Sequence, residues 1–235
     1  MKTDRIEFIS EYCDRWCERC AYTSRCAAYA VEVATAMCGS LAEGLELAVG
    51  RPHPVDGEPQ SETPDWLAEA NDELTAEECA EFEAEERARD ARVDATVLSA
   101  MAWAYTRDSH CWLRRRCDQL CTSADEVLVE ALDVVSYDST FITMKLHRAL
   151  NGRDRFQHGE SFDDDPVQSD WNGSAKIALV SLERSETAWR IIAQATADEA
   201  VTRLADAVRD LHQAALDEFP RAMSFVRPGF DEPWR

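Results

Sequence analysis

Four cysteines, Cys13, Cys17, Cys20 and Cys26, carry the most specific chemistry in the chain, as C-x3-C-x2-C-x5-C within fourteen residues. Four thiolates converging on one centre are the donor set of a tetrahedral zinc site or of a [4Fe–4S] cluster. Ligands this close in sequence close only short loops, so gathering them costs little chain entropy. On a continuous α-helix Cys13, Cys17 and Cys20 fall within about 60° of one another on one face. Cys26 joins them only if the chain turns at residues 21–24. Tyr12, Trp16 and Tyr22 interleave the cysteines and would shield a cluster from water, and Arg15, Arg19 and Arg25 would offset thiolate charge. The spacing favours iron–sulfur. Zinc stays open because soft thiolates suit both, and so do four reduced cysteines serving as small apolar side chains.

The first three cysteines resemble the C-x3-C-x2-C motif of radical S-adenosylmethionine enzymes, over eight residues only. In that family the motif sits on a loop after a strand of an α/β barrel and leaves one iron open for the cofactor. Here a fourth cysteine follows and no strand is expected, so membership of the family is not implied. The resemblance implies that this spacing can hold a [4Fe–4S] cluster.

Two weaker constellations follow. His110, Cys117 and Cys121 fall on one helical stripe at i, i+7 and i+11 and could supply three ligands of a second metal site. The bland alternative is that both cysteines face a core. Lys145 and Lys176 are two of only three lysines, and both lie in apolar helical stretches. With Asp138 and Glu183 they could form a buried polar seam that exchanges a proton or binds a small ligand, with or without a carboxylate-held metal; the plainer reading is snorkelling or a structural ion pair. Ferritin-like di-iron chemistry is excluded in its usual form. It needs Glu-x-x-His, and the residues three before the five histidines are Gly50, Arg107, Met144, Arg155 and Arg209.

What must position these residues is helical. The Pro-free blocks 1–51, 65–165 and 167–219 are rich in Ala, Leu, Glu and Arg, and no alternating β-branched run interrupts them. The fold class is all-α, an irregular bundle of about four long helical regions in one domain, residues 1–235. A cysteine-bearing helical region spans residues 1–50 and breaks near 21–24. A Pro-rich acidic loop follows over 51–74. The main bundle covers 75–224, with helical regions over about 75–120, 124–151 and 172–218, the middle one stopped by Asn151-Gly152. Residues 225–235 form a non-helical tail that packs back through Phe225, Phe230 and Trp234.

Forty-six acidic against 25 basic residues set the net charge at −21. That excludes counterion-releasing nucleic-acid binding and disfavours anionic membranes. Residues 55–86 hold thirteen Asp or Glu and no Lys or Arg; this is a solvated segment or a docking surface for a basic partner. No apolar h-region opens the chain and no run reaches about eighteen apolar residues. The expected location is the cytoplasm, where nine cysteines stay thiols or bind metal. The leading function is an iron–sulfur protein for electron transfer or redox or oxygen sensing, with a protein redox partner. A zinc-stapled interaction module and a helical enzyme using the polar seam are the alternatives; no phosphate loop, dinucleotide fingerprint or nucleophilic triad names a reaction.

Overall fold

A computed structural model of the chain describes residues 4–50, 75–159, 165 and 167–231. Among the described residues are seven α-helices, three short 3-10 turns and no strand, so the all-α expectation holds. None of these helices is long and apolar enough to cross a membrane. The chain divides into two compact units, Met1–Ser10 with Trp16–Ala88 and Glu11–Arg15 with Arg89–Arg235.

In the first unit the expected cysteine-bearing helix is absent. Cys17–Arg19 and Thr23–Arg25 form separate 3-10 turns, and the first α-helix, α1, begins only at Ala27 and ends at Cys38. Residues 13–26 are crowded with Cys, Asp, Trp, Tyr, Thr and Ser, all poor helix formers. Arg15 takes a left-handed φ of 59°, which no helix contains. The stripe of Cys13, Cys17 and Cys20 therefore does not exist as a helical face. The N-terminal residues are tied down locally: Ile6 donates its N–H to the Arg25 carbonyl at 3.1 Å, and Arg5 donates to the Ala48 carbonyl.

Helix α2 (Leu41–Val49) folds back on α1 as a hairpin, and Gly39 makes the turn at φ 74°. The two helices cross at Gly44, where an added Cβ would lie 2.6 Å from the Thr35 backbone nitrogen. Gly44→Ala must therefore push the helices apart, at a cost of about 1–3 kcal/mol typical of overpacking. Faster amide exchange confined to α1 and α2 is the expected result; unchanged exchange would mean that the crossing is loose.

Helix α3 (Ala76–Asp94) opens on a capping box, which bears out a helix start near residue 75. Glu78 N–H donates to Thr75 Oγ1 at 3.2 Å, while Thr75 N–H donates to Glu78 Oε2 at 2.8 Å. The Thr75 N–H, and then the Thr75 hydroxyl donating to the same Oε2 at 2.8 Å, hold the Glu78 carboxyl below its ordinary value. The expected single region from 75 to 120 is cut at Thr96, whose hydroxyl accepts from Ser99 N–H and starts α4 (Val97–Leu120).

The second unit is a ring of four helices: α4, α5 (Glu126–Gln157), α6 (Asp170–Thr196) and α7 (Glu199–Glu218). Each packs on the next, and α4 closes on α7. Asn151-Gly152 does not stop α5, which runs on to Gln157. A Cβ on Gly152 would approach Trp171 of α6 to 3.2 Å, so the missing side chain permits close helix packing. That packing offsets the roughly 1 kcal/mol penalty of a helical glycine. The expected region 172–218 is likewise two helices, divided at Ala197 with a left-handed φ of 50°. Asp198 caps α7 and also accepts from Trp112 Nε1 at 3.0 Å. Of the tail aromatics Phe225 is buried, and Trp234 lies outside the described residues.

Candidate functional site

The two 3-10 turns of the first unit set the cysteine geometry. Cys17 opens the first turn, and Cys20 follows it with its N–H on the Cys17 carbonyl at 3.2 Å. Cys26 follows the second turn and is the N-cap of α1. Two sulfurs are addressed by backbone donors: Tyr22 N–H points to Cys20 Sγ and Tyr29 N–H to Cys26 Sγ, each at 3.4 Å. An amide aimed at sulfur favours the thiolate and tunes a bound metal, so these turns have the local form that thiolate ligands use. Cys17, Cys20 and Cys26 are all half-buried. Among the described residues no three His, Cys, Asp or Glu side chains are already gathered as a metal cage.

The neighbouring residues take more specific roles than their sequence positions suggest. Arg19 lies over the Trp16 ring, 3.9 Å from its centroid. Arg25 pairs with Asp4, 2.9 Å to Oδ1 and 2.8 Å to its carbonyl. Cys13 belongs to the second unit and is half-buried. In that unit Tyr12 packs on Phe225 with ring centroids 4.7 Å apart, and it occupies the space where a Cβ on Gly173 would stand.

The second cysteine stripe is only partly brought together. Cys117 Sγ lies 2.9 Å from Cys121 Sγ at the end of α4. His110 bonds instead to Thr140 Oγ1, at 3.0 Å. Burial, then the Cys121 sulfur and the Asp118 and Asp133 carboxylates, push the Cys117 thiol up to about 11.

The proposed polar seam resolves into separate interactions. Asp138 is fully buried and pairs with Arg184 of α6, at 2.6 and 3.0 Å, and accepts from Ser185 at 3.2 Å. Arg184 also reaches Asp14 at 2.7 Å. Burial raises the Asp138 carboxyl, against the opposing pull of Arg184. Lys176 sits against the tail instead, donating to the Phe225 carbonyl at 2.6 Å and pairing with Asp231 at 2.8 Å. Against the cost of burial, hydrogen bonds from Arg227 and Lys176 hold Asp231 well below the usual carboxylate range. Lys145 lies over the Phe141 ring at 5.5 Å, its pKa lowered by burial and then by Arg148. Glu183 is exposed, with His212 Nε2 at 3.8 Å. These interactions do not join the two lysines to Asp138 and Glu183.

Arg184 is the residue that sequence reasoning passed over. It neighbours the exposed Glu183, and one step along a helix turns the face by about 100°, which brings Arg184 within reach of Asp138. The acidic segment lies outside the described residues as far as 74. Beyond it Glu77, Glu78, Glu81, Glu83 and Glu85 are exposed on α3, with Arg87 on Glu83 at 3.2 Å. Comparison of the chain with family models, curated proteins and solved structures gives no match.

Proposed function

We propose that this chain is an iron–sulfur protein of the [4Fe–4S] type, which transfers electrons or reports on redox state or oxygen. The observation that carries the reading is the pair of amide-to-sulfur contacts on Cys20 and Cys26. Cys17, Cys20 and Cys26 supply three thiolates from consecutive tight turns. In the sequence Cys13 completes the C-x3-C-x2-C-x5-C spacing. A bound cluster would supply one-electron exchange. The Tyr22 and Tyr29 amides would draw charge from the ligating sulfurs, which raises the reduction potential. Separate turns suit such a centre because each can adjust its cysteine as the metal draws the thiolates together, and binding energy offsets their mutual repulsion.

Zinc would use the same ligands and the same amide donors, and a zinc-stapled protein could still present the acidic segment to a basic partner. Anaerobic purification followed by iron, acid-labile sulfide and zinc analysis separates the two. Equal iron and sulfide with broad visible absorption is the expected result, and Cys20→Ser should lose the iron while the helical circular dichroism persists. Colourless protein with stoichiometric zinc would replace iron–sulfur by the zinc reading. Full iron in the Cys20→Ser protein, or metal in neither form, would overturn the assignment.

A further inference from the structure

At the C-terminal end of α4, away from the turns just described in sequence, Cys117 and Cys121 stand one helical turn apart. Their sulfurs are 2.9 Å from each other, closer than two sulfurs in ordinary contact and farther than a disulfide bond. The helix between them is intact, with Cys121 N–H on the Cys117 carbonyl at 2.8 Å. Cys121 is exposed, so the pair is reachable from solvent.

We propose that Cys117 and Cys121 form a two-thiolate site for a thiophilic d10 cation. Two ligands at i and i+4 on one helix face are a spacing that metal sites use, because both side chains then reach one point above the turn. The β-carbons of such a pair stand about 5–6 Å apart, whereas a disulfide needs about 3.5–4.5 Å. Closing a disulfide would therefore deform the last turn of α4. A bridging ion asks for less. Two metal–sulfur bonds of about 2.3 Å at a tetrahedral angle place the sulfurs about 3.8 Å apart, and side-chain rotation from 2.9 Å supplies that without moving the backbone. Binding replaces two S–H bonds by two sulfur–metal bonds and releases both protons to water; solvent fills the remaining positions of the ion. The Asp118 and Asp133 carboxylates, whose fields reach Cys117, favour a cation there. The proposed site is the two sulfurs alone; His110 Nε2 is bonded to Thr140 Oγ1 at 3.0 Å.

Alkylation under anaerobic conditions tests the site with Cd2+ as the probe. Cleavage after Arg116 and Lys145 yields a peptide whose only cysteines are Cys117 and Cys121, so the readout is independent of the N-terminal cysteines and of whether they hold iron. Cd2+ at about ten times its dissociation constant should slow alkylation of both thiols roughly tenfold. Cys121→Ser should abolish the protection of Cys117, and Cys117→Ser that of Cys121, with helical circular dichroism as the check on folding. His110→Ala should change nothing. Equal protection of Cys79 and Cys111, protection that survives either serine variant, or recovery of the peptide with an internal disulfide would each overturn the proposal.

Discussion

Arg184→Met is expected to destabilise the second unit by about 3–5 kcal/mol, the cost of leaving a buried charge without its partner. Asp138 has no exposed surface, and its carboxylate is held by two guanidinium bonds and the Ser185 hydroxyl. Methionine keeps the length of the side chain and removes the charge. It also strips Asp14 of its 2.7 Å bond, and with it one attachment of residues 11–15 to α6. The loss has a pH signature. Burial already pushes the Asp138 carboxyl up, and Arg184 opposes it; with the arginine gone, burial acts with less opposition. A carboxyl whose folded pKa exceeds its unfolded value of about 3.9 binds more protons when folded. Stability is then fully present below that value and lost as pH rises through the folded pKa. The variant should therefore lose more at neutral pH than at pH about 4 relative to the parent, the opposite of ordinary acid denaturation. Asp138→Asn combined with Arg184→Met should recover part of the loss, because no charge is left stranded. Urea titration followed by circular dichroism measures all three proteins. A single-variant loss below about 1 kcal/mol would place the Asp138 charge in contact with water.

Trp189→Ala should cost about 3–5 kcal/mol, as large-to-small changes in a core do when the site cannot collapse. Trp189 is fully buried on α6 and meets Trp112 of α4 edge-on, with ring centroids 5.4 Å apart. Its Nε1 donates to Tyr105 Oη at 3.1 Å. Trp112 is anchored separately through Asp198 and cannot swing over to fill the space without giving up that bond. Trp189→Phe separates the contributions. It keeps most of the volume and removes the donor, so the loss should fall to about 1–3 kcal/mol. Burial raises the Tyr105 pKa, and the bond from Trp189 opposes that rise, so the phenylalanine variant should ionise Tyr105 at still higher pH in an ultraviolet titration. A Trp189→Phe protein as unstable as Trp189→Ala would assign the energy to the hydrogen bond instead of to packing.

Helical content was readable from composition because it is local: long Pro-free stretches of good helix formers leave the chain few other regular structures. The stops were read less well. Asn151-Gly152 carries a stop signal, yet α5 passes through it because Trp171 packs where a side chain would have stood. Ala197 carries no such signal, yet it takes a left-handed conformation between α6 and the Asp198 cap. At Gly152 the Trp171 contact outweighs a local preference of about 1 kcal/mol.

The same division runs through the candidate sites. The spacing of Cys13, Cys17, Cys20 and Cys26 is written in the chain, and so is the chemistry their sulfurs offer. That spacing suggests one helical stripe, but residues of low helix propensity put Cys17, Cys20 and Cys26 on turns, with amides directed at two of the sulfurs. For Cys117 and Cys121 the i, i+4 interval was itself sufficient, because an α-helix converts that interval directly into proximity. His110, Asp138 and Lys176 took partners from elsewhere in the fold. Which partner each one took (Thr140, Arg184, Asp231) depended on how α4, α5, α6 and the tail pack. Sequence determines which groups a helix face offers. The meeting of groups from different helices is decided by packing of the whole core, since helix rotation and crossing are set by side chains far from the groups themselves.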